Sequence, residues 1–332
     1  MYLFALLVAP LYLFLYWFKC YNQNNLQEQE NLFKKMSLGN RMKYYETESE
    51  KKSKIRPYES YIVRLDGKNF STKTSNLIKP FDDIFNEAML LTSKDVLEEF
   101  HAATVFVQSD EISLVFKSIC TKEEHKNEKN KSIHLFGGRV SKIISIIAGF
   151  TSTRFTINFY NLLNKSASEK HGEFLHSLYL ERLNGECSEK ILSHANFCFD
   201  ARVTVIPLDK SFEVVNNLLW RSVHDGYRNF VSGWASYYIT QNMLHKLNTQ
   251  ERKELLMSKQ NINLDEKPCH YRYGWYIKSE QRNISTEAGL STRHISVAKS
   301  FKIYYSNDIE KMIYSKYWNN DSTIEYEESR DL

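Results

Sequence analysis

The chain has 332 residues, 42% of them hydrophobic and 25% charged. This allows one large or two ordinary domains with a buried core and excludes a wholly disordered chain. A formal charge of +4 permits an anionic partner without requiring one, so a nucleic-acid reading has to rest on local patches. Five cysteines, Cys20, Cys120, Cys187, Cys198 and Cys269, without CxxC spacing, argue for reduced thiols and against zinc.

Residues 1–18 carry no charge. As a helix they would run about 27 Å, at the short limit for crossing a bilayer. Residues 1–19 read as a membrane anchor, and the basic residues that follow, Lys19, Lys34, Lys35, Arg41 and Lys43, place the rest on the cytoplasmic side. Residues 20–35 are polar and amide-rich, a linker. The catalytic domain is read as residues 36–160.

Its centre is Ile62 to Phe116. The run IVRLDGKNF ends a β-branched strand at Asp66-Gly67, and TVFVQSDEISLVF places Asp110-Glu111 at the turn of a hairpin. Between them, residues 80–100 repeat apolar side chains at helical spacing. Two carboxylates delivered at neighbouring turns are what a site for divalent cations of the magnesium type needs, since such ions take oxygen ligands and complete their shells with substrate phosphates. The Gly67 carbonyl is a third candidate donor. Consecutive strand residues face opposite ways, so of Asp110 and Glu111 the expected partner of Asp66 is Asp110.

Residues 118–133 are a charged run, expected to be a solvated loop. Gly137-Gly138 precede an apolar helix with Arg139 and Lys142 in its first turns. Residues 161–198 read as a connection. In the C-terminal part, 199–280, FDARVTVIPL predicts a strand, and residues 213–247 one helix, or two broken at Asp225-Gly226. Arg221, Arg228 and Asn229 alternate there with Trp220, Tyr227 and Trp234, a pattern that can hold phosphates and stack bases or simply pack a core. TQERKELL predicts a capped short helix, residues 262–278 a turn and a last strand, and 281–332 a polar tail.

These motifs together resemble the tRNA(His) guanylyltransferases and their guanylyltransferase-like relatives, which add nucleotides in the 3′–5′ direction to RNA 5′ ends. The resemblance runs over residues 37–278 through LGNRMKYYE, RLDGKNF, KPFDD, QSDEIS, FDARV, WRSVHDGYRN and YRYG. It implies an α+β fold with a palm-like (ferredoxin-like) antiparallel sheet, as in polymerases and nucleotide cyclases, and a helical C-terminal part. It implies two Mg2+ ions on Asp66, Gly67 and Asp110, with Glu111 an acidic neighbour needed for activity. Nucleotide binding by Asp66, Gly67, Lys68, Asn69, Phe70, Ser71, Ser109 and Asp110, and triphosphate contacts from Lys79, Arg139 and Lys142, follow from it too. So do ATP and GTP as substrates, tRNA as partner, a homotetramer, and an intracellular, cytoplasmic or mitochondrial, setting.

Two positions depart from the guanylyltransferases proper. Gly226, Tyr227, Arg228 and Asn229 stand where those enzymes have His-Ile-Asn-Asn, and Ser71 replaces a histidine. The Asp225-x-x-Arg228-Asn229 form looks like the guanylyltransferase-like branch, so 5′-end repair guided by the opposing strand is expected over guanylate addition to tRNA(His), with Arg221, Asp225, Arg228 and Asn229 on the RNA. The alternatives are a palm-domain nucleotide cyclase, which would make a cyclic product without RNA, and an RNA-binding protein without catalysis, against which Asp66, Asp110 and Glu111 speak.

Overall fold

In the computed structural model, residues 37, 40, 43, 53–75, 77–127, 132–168, 197–286, 289–318 and 324–332 are described. The chain divides into Met1–Lys54 and Ile55–Leu332, and the sheet and its helices belong to the second unit. The anchor expected at residues 1–19 and the linker at 20–35 lie outside the described residues. Among the described residues no helix is long and apolar enough to cross a membrane.

Strand β1 (Ser60–Gly67) shows why the sheet is covered on both faces. Tyr61, Val63 and Leu65 point one way and Ile62 the other, and all four are buried. β1 lies between β4 (Phe199–Ile206) and β3 (Glu111–Phe116), and the seven strands run in the order β4-β1-β3-β2-β5-β6-β7, every pairing antiparallel. β2 is Thr104–Gln108, β5 Trp275–Thr286, β6 Gly289–Ser300 and β7 Glu328–Asp331. A short helix α1 (Phe70–Lys73) follows β1.

The Tyr61, Val63 and Leu65 face, with Ile112, Leu114 and Val105, packs against α2 (Asp83–Phe100) and the long α4 (Val140–Ser168). Asp82 caps α2 by accepting from Phe85 N at 2.8 Å and also takes Ile78 N at 3.0 Å. Asp95 of α2 holds Arg154 and Asn158 of α4, each at 2.8 Å. α3 (Lys122–Lys126) is an exposed, capped turn inside the charged run, and the boundary drawn at residue 160 falls within α4.

The opposite face, with Ile62, Val115, Phe106 and Tyr276, packs against α5 (Glu213–Leu219) and α10 (Asn307–Tyr314). The helix after α5 does not break at Asp225-Gly226: it widens into a π-helix, Trp220–Gly226, and continues as α6 (Tyr227–Tyr238). α6 packs on α8 (Thr249–Gln260), with α7 (Gln241–Leu244) between them in sequence, around a third core of Phe230, Val231, Leu244 and Leu256. α9 (Cys269–Tyr273) leads into β5.

Residues 281–332, read as a polar tail, belong to the folded unit. They complete β5 and supply β6, α10 and β7, and bury Val297, Phe301, Ile309, Ile313 and Trp318. Lys278 is wholly buried, and its ammonium donates to Ala103 O, Thr104 Oγ1, Met312 O and Ser315 O, fastening α10 to the sheet. Lys278, Ser296 and Ser300, polar but buried, break the alternation that a strand reading relies on.

Candidate active site

Asp66 stands directly opposite Glu111 on β3 and Asp200 on β4. Residues paired this way in an antiparallel sheet share a face. Arg64, two residues back on the same face, donates to Asp66 Oδ2 at 2.7 Å, and its Nε lies 3.8 Å from Glu111 Oε1. Ser109 and Asp110 form the two-residue turn between Gln108 and Glu111, with Ser109 at φ 54°. Gly67 N donates to Asp110 O at 3.0 Å, which fixes the hairpin tip against the end of β1.

The alternation argument admitted only one of Asp110 and Glu111 beside Asp66. The structure brings both, because Glu111 faces Asp66 across the ladder and Asp110 sits in the turn, where strand alternation has ended. Burial raises the Asp110 carboxyl above the ordinary range, and the charge of Asp66 adds to it; its own backbone N–H and the Ser109 hydroxyl, 3.2 Å away, oppose this. Burial also raises Glu111, against the pull of Arg221 and Arg64. Arg221 Nη1 donates to both Glu111 oxygens at 3.1 Å and approaches Asp225 Oδ2 at 3.5 Å.

The π-helix turns Arg221 and Asp225 toward the carboxylates, and Asp225 in turn holds the exposed Arg228. Gly226 is required there: a Cβ would lie 2.1 Å from Gln108 Oε1 and 2.5 Å from Arg221 O. The Gln108 amide donates to Tyr271 O and Arg272 O at 3.3 and 2.9 Å, tying β2 to α9. Gly67 is required for packing, since a Cβ would meet the Phe70 ring at 2.5 Å.

A cleft of about 770 Å³ opens beside this group. Of the expected site residues Ser109, Asp110, Glu111, Arg221, Asp225 and Asn229 line it, facing an aromatic wall that includes Phe81, Phe85, Phe230 and Tyr271. Other expected residues lie elsewhere. Phe70 is buried among Phe155, Phe197 and Phe199, so its ring serves the core and is closed to a nucleotide. Lys68 N donates to Cys198 O at 2.8 Å, Asn69 adopts a left-handed φ of 58° ahead of α1, and Ser71 is exposed on α1. Lys79 Nζ donates to Thr74 O at 2.9 Å. Arg139 Nε donates to Phe136 O at 3.1 Å, and the Lys142 ammonium lies 5.5 Å from the Phe136 ring centre. None of these three cations lines the cleft.

Asp66, Asp110 and the backbone at Gly67 could hold a hard cation. Among the described residues no group of three or more His, Cys, Asp or Glu is arranged as a metal cage. A magnesium-type ion needs only one or two carboxylates when phosphates and water supply the rest. The donors are all oxygen, and the mutual repulsion of the Asp66 and Asp110 carboxylates is relieved by a cation between them. Arg64 was missed in the sequence, although period two from Asp66 on a strand marks it. Gln108, although it opens the QSDEIS motif, was not singled out, and His270, also on the cleft, had no local signal.

The sequence profile of tRNAHis guanylyltransferase matches residues 39–207, just over half of the chain. The chain belongs to the tRNAHis guanylyltransferase family. Members of this family are nucleotidyltransferases acting on tRNA. An uncharacterized protein of Acanthamoeba polyphaga mimivirus is 32% identical over 295 residues, spanning 87% of this chain and 93% of that protein. A probable tRNA(His) guanylyltransferase of Dictyostelium discoideum is 27% identical over 69% of this chain and 79% of its own. A bacterial tRNA(His) guanylyltransferase-like protein, solved in complex with ATP, superposes with a TM-score of 0.58 at 25% identity, covering 84% of this chain and 100% of its own. Asp66, Asp110 and Glu111 fall within the family match, whereas Arg221, Asp225, Asn229 and His270 lie beyond it.

Proposed function

We propose that this member of the family is a magnesium-dependent nucleotidyltransferase that extends tRNA 5′ ends in the 3′–5′ direction on a palm-like sheet, repairing truncated ends under guidance of the opposing strand. The observation that carries this reading is the meeting of Asp66, Glu111 and Asp110 at one end of the sheet, beside a cleft shared with Arg221, Asp225 and Asn229. The ATP complex of the bacterial relative supports a nucleotide as substrate.

Asp66, Asp110 and the Gly67 carbonyl would hold two Mg2+ ions, which neutralise phosphate charge and make a hydroxyl more acidic when bound. The RNA 5′-monophosphate attacks the α-phosphorus of ATP or GTP and releases pyrophosphate, and the 3′-hydroxyl of the incoming nucleotide then attacks the activated 5′-phosphorus, giving up its proton and expelling the nucleoside monophosphate. Arg64 and Arg221 hold Asp66 and Glu111 fixed in direction. Lys79, Arg139 and Lys142 stand outside the cleft, and a triphosphate role for them, through charge-assisted hydrogen bonds, rests on the family resemblance alone. Arg228 is exposed and suited to RNA phosphate, which positions without reading sequence. A homotetramer accords with the family resemblance, and the uncharged run at residues 1–18 accords with a tether on an RNA-containing side of a membrane.

The test is incubation of the purified chain with Mg2+, ATP, GTP and a 5′-monophosphorylated, 5′-truncated tRNA. The expected product is the tRNA lengthened at its 5′ end, with no cyclic nucleotide when RNA is withheld. A cyclic product, or RNA binding without extension, contradicts the proposal.

A further inference from the structure

Ion pairs fasten the final strand to three elements. Glu327 and Glu328 reach Arg272 and His270 of α9 at 2.5 and 2.6 Å, Arg330 reaches Glu87 of α2 at 2.6 Å, and Asp331 reaches Arg282 of β5 at 2.6 Å. The strand lies outside the family match, yet one of these contacts reaches the cleft: His270 lines it together with Asp110, Glu111, Arg221 and Asn229. We infer that His270 is a substrate-contacting residue of this cleft, that Glu328 is its positioning residue, and that the group received is a hydrogen-bond donor on a nucleotide, an exocyclic amine or a ribose hydroxyl.

The two oxygens of Glu328 have separate tasks. Oε1 accepts the backbone amides of Cys269 and His270, which caps the start of α9. Capping needs no more than this, but Oε2 takes His270 Nδ1 at 2.6 Å. Burial raises the Glu328 carboxyl, but the His270 contact and the two amides outweigh it and hold it below the ordinary range. An ionised carboxylate only accepts, so Nδ1 donates, and in the neutral ring that tautomer makes Nε2 an acceptor. The ring is also fixed in plane, stacked on Trp275 with centroids 4.9 Å apart and planes 13° apart. A histidine that lines the cleft with one nitrogen anchored and its face stacked is set to accept one directed hydrogen bond. The aromatic wall and the amides of Asn86 and Asn229 around it suit a nucleoside rather than a simple ion.

The inference rests on the nucleotidyltransferase reading, and the donor can belong to the free nucleoside triphosphate or to the RNA end. The experiment measures the dissociation constants of ATP and GTP in Mg2+ without RNA, and separately that of a 5′-truncated tRNA, for wild type, His270→Asn, His270→Gln and Glu328→Gln. The asparagine amide takes the place of Nδ1 and removes Nε2, whereas the glutamine amide reaches the place of Nε2. His270→Asn is expected to weaken one of the two ligands about tenfold, the loss of one good hydrogen bond, with His270→Gln within about threefold of wild type. Glu328→Gln should weaken the same ligand, and all three variants should keep the wild-type melting temperature to within a few degrees. Loss confined to the triphosphates assigns the donor to them, and loss confined to tRNA assigns it to the RNA end. Wild-type affinity of His270→Asn for both ligands overturns the inference and leaves the nucleotidyltransferase reading standing, whereas a wild-type chain that binds neither ligand overturns both. Should His270→Asn fail to fold, Glu328→Gln decides: unchanged affinity for both ligands overturns the positioning.

Discussion

Arg221 and Glu111 form a forked ion pair across the sheet and the π-helix, Nη1 donating to both carboxylate oxygens at 3.1 Å, with side chains only 16% and 21% exposed. The pair joins the carboxylate end of the sheet to the segment that presents Asp225 and Arg228. Arg221→Ala leaves two partly buried acids without their shared cation and should destabilise the fold by about 2–4 kcal/mol. Nucleotide addition should be lost with it. Arg221→Lys, which offers a point charge instead of a planar fork, should recover part of the stability and little of the activity. Urea unfolding beside a 5′-extension assay checks both.

Asp110 separates stability from activity. Folding raises its pKa, so the protonated form favours the fold: that contribution is present at acid pH and is lost as pH rises through the folded-state value. Removing the charge with Asp110→Asn should therefore raise the melting temperature at pH 7 by roughly 1–3 °C in the absence of divalent ions, with no gain near pH 3. The same variant, like Asp66→Ala, should abolish nucleotide addition. Mg2+ should raise the melting temperature of the wild type and not of Asp110→Asn. A calorimetric series over pH, with and without Mg2+, reads all of this.

Gly226 has no room for a side chain. Gly226→Ala drives a methyl against Gln108 Oε1 and the Arg221 backbone, and should cost about 1–3 kcal/mol by overpacking. Because the same shift displaces Arg221, activity should fall more steeply than stability, as thermal melts and steady-state rates together would show.

What was legible in the sequence is the part encoded locally. Asp66-Gly67 after a β-branched run gave the end of β1, and Asp110-Glu111 inside a second run gave the β2–β3 hairpin with its turn one residue late, since the observed turn is Ser109-Asp110 and Glu111 opens β3. Which side chains meet across strands is set by register, and no local pattern states it, so alternation alone favoured Asp110 over Glu111 beside Asp66, Glu111 entered through the family resemblance, and Asp200 was passed over. Phe70 sits in a motif that reads as ligand-facing, but aromatic packing between β1 and α4 claims its ring. The last strands were illegible because Lys278, Ser296 and Ser300 are polar at buried positions and because the Arg282–Asp331 pair joins residues far apart in the chain. The π-helix left no mark except Gly226, whose need for a hydrogen atom comes from Gln108, more than a hundred residues earlier.

Arg228 is 57% exposed and paired with Asp225. Arg228→Ala should leave stability within about 0.5 kcal/mol of wild type, since exposed pairs contribute little. It should weaken binding to all tRNAs to a similar degree and shallow the salt dependence by about one unit of slope. Filter binding at several salt concentrations with two unrelated tRNAs distinguishes this from a packing role, in which unfolding would shift and affinity would not.

The central claim is tested most directly by nucleotide addition on a panel of 5′-truncated tRNAs in which the base opposite the missing position is changed in turn, with full-length tRNA(His) beside them. The account predicts that the added nucleotide follows the opposing base in each truncated tRNA, with little preference for tRNA(His). Guanylate added to tRNA(His) alone, whatever base lies opposite, would contradict it.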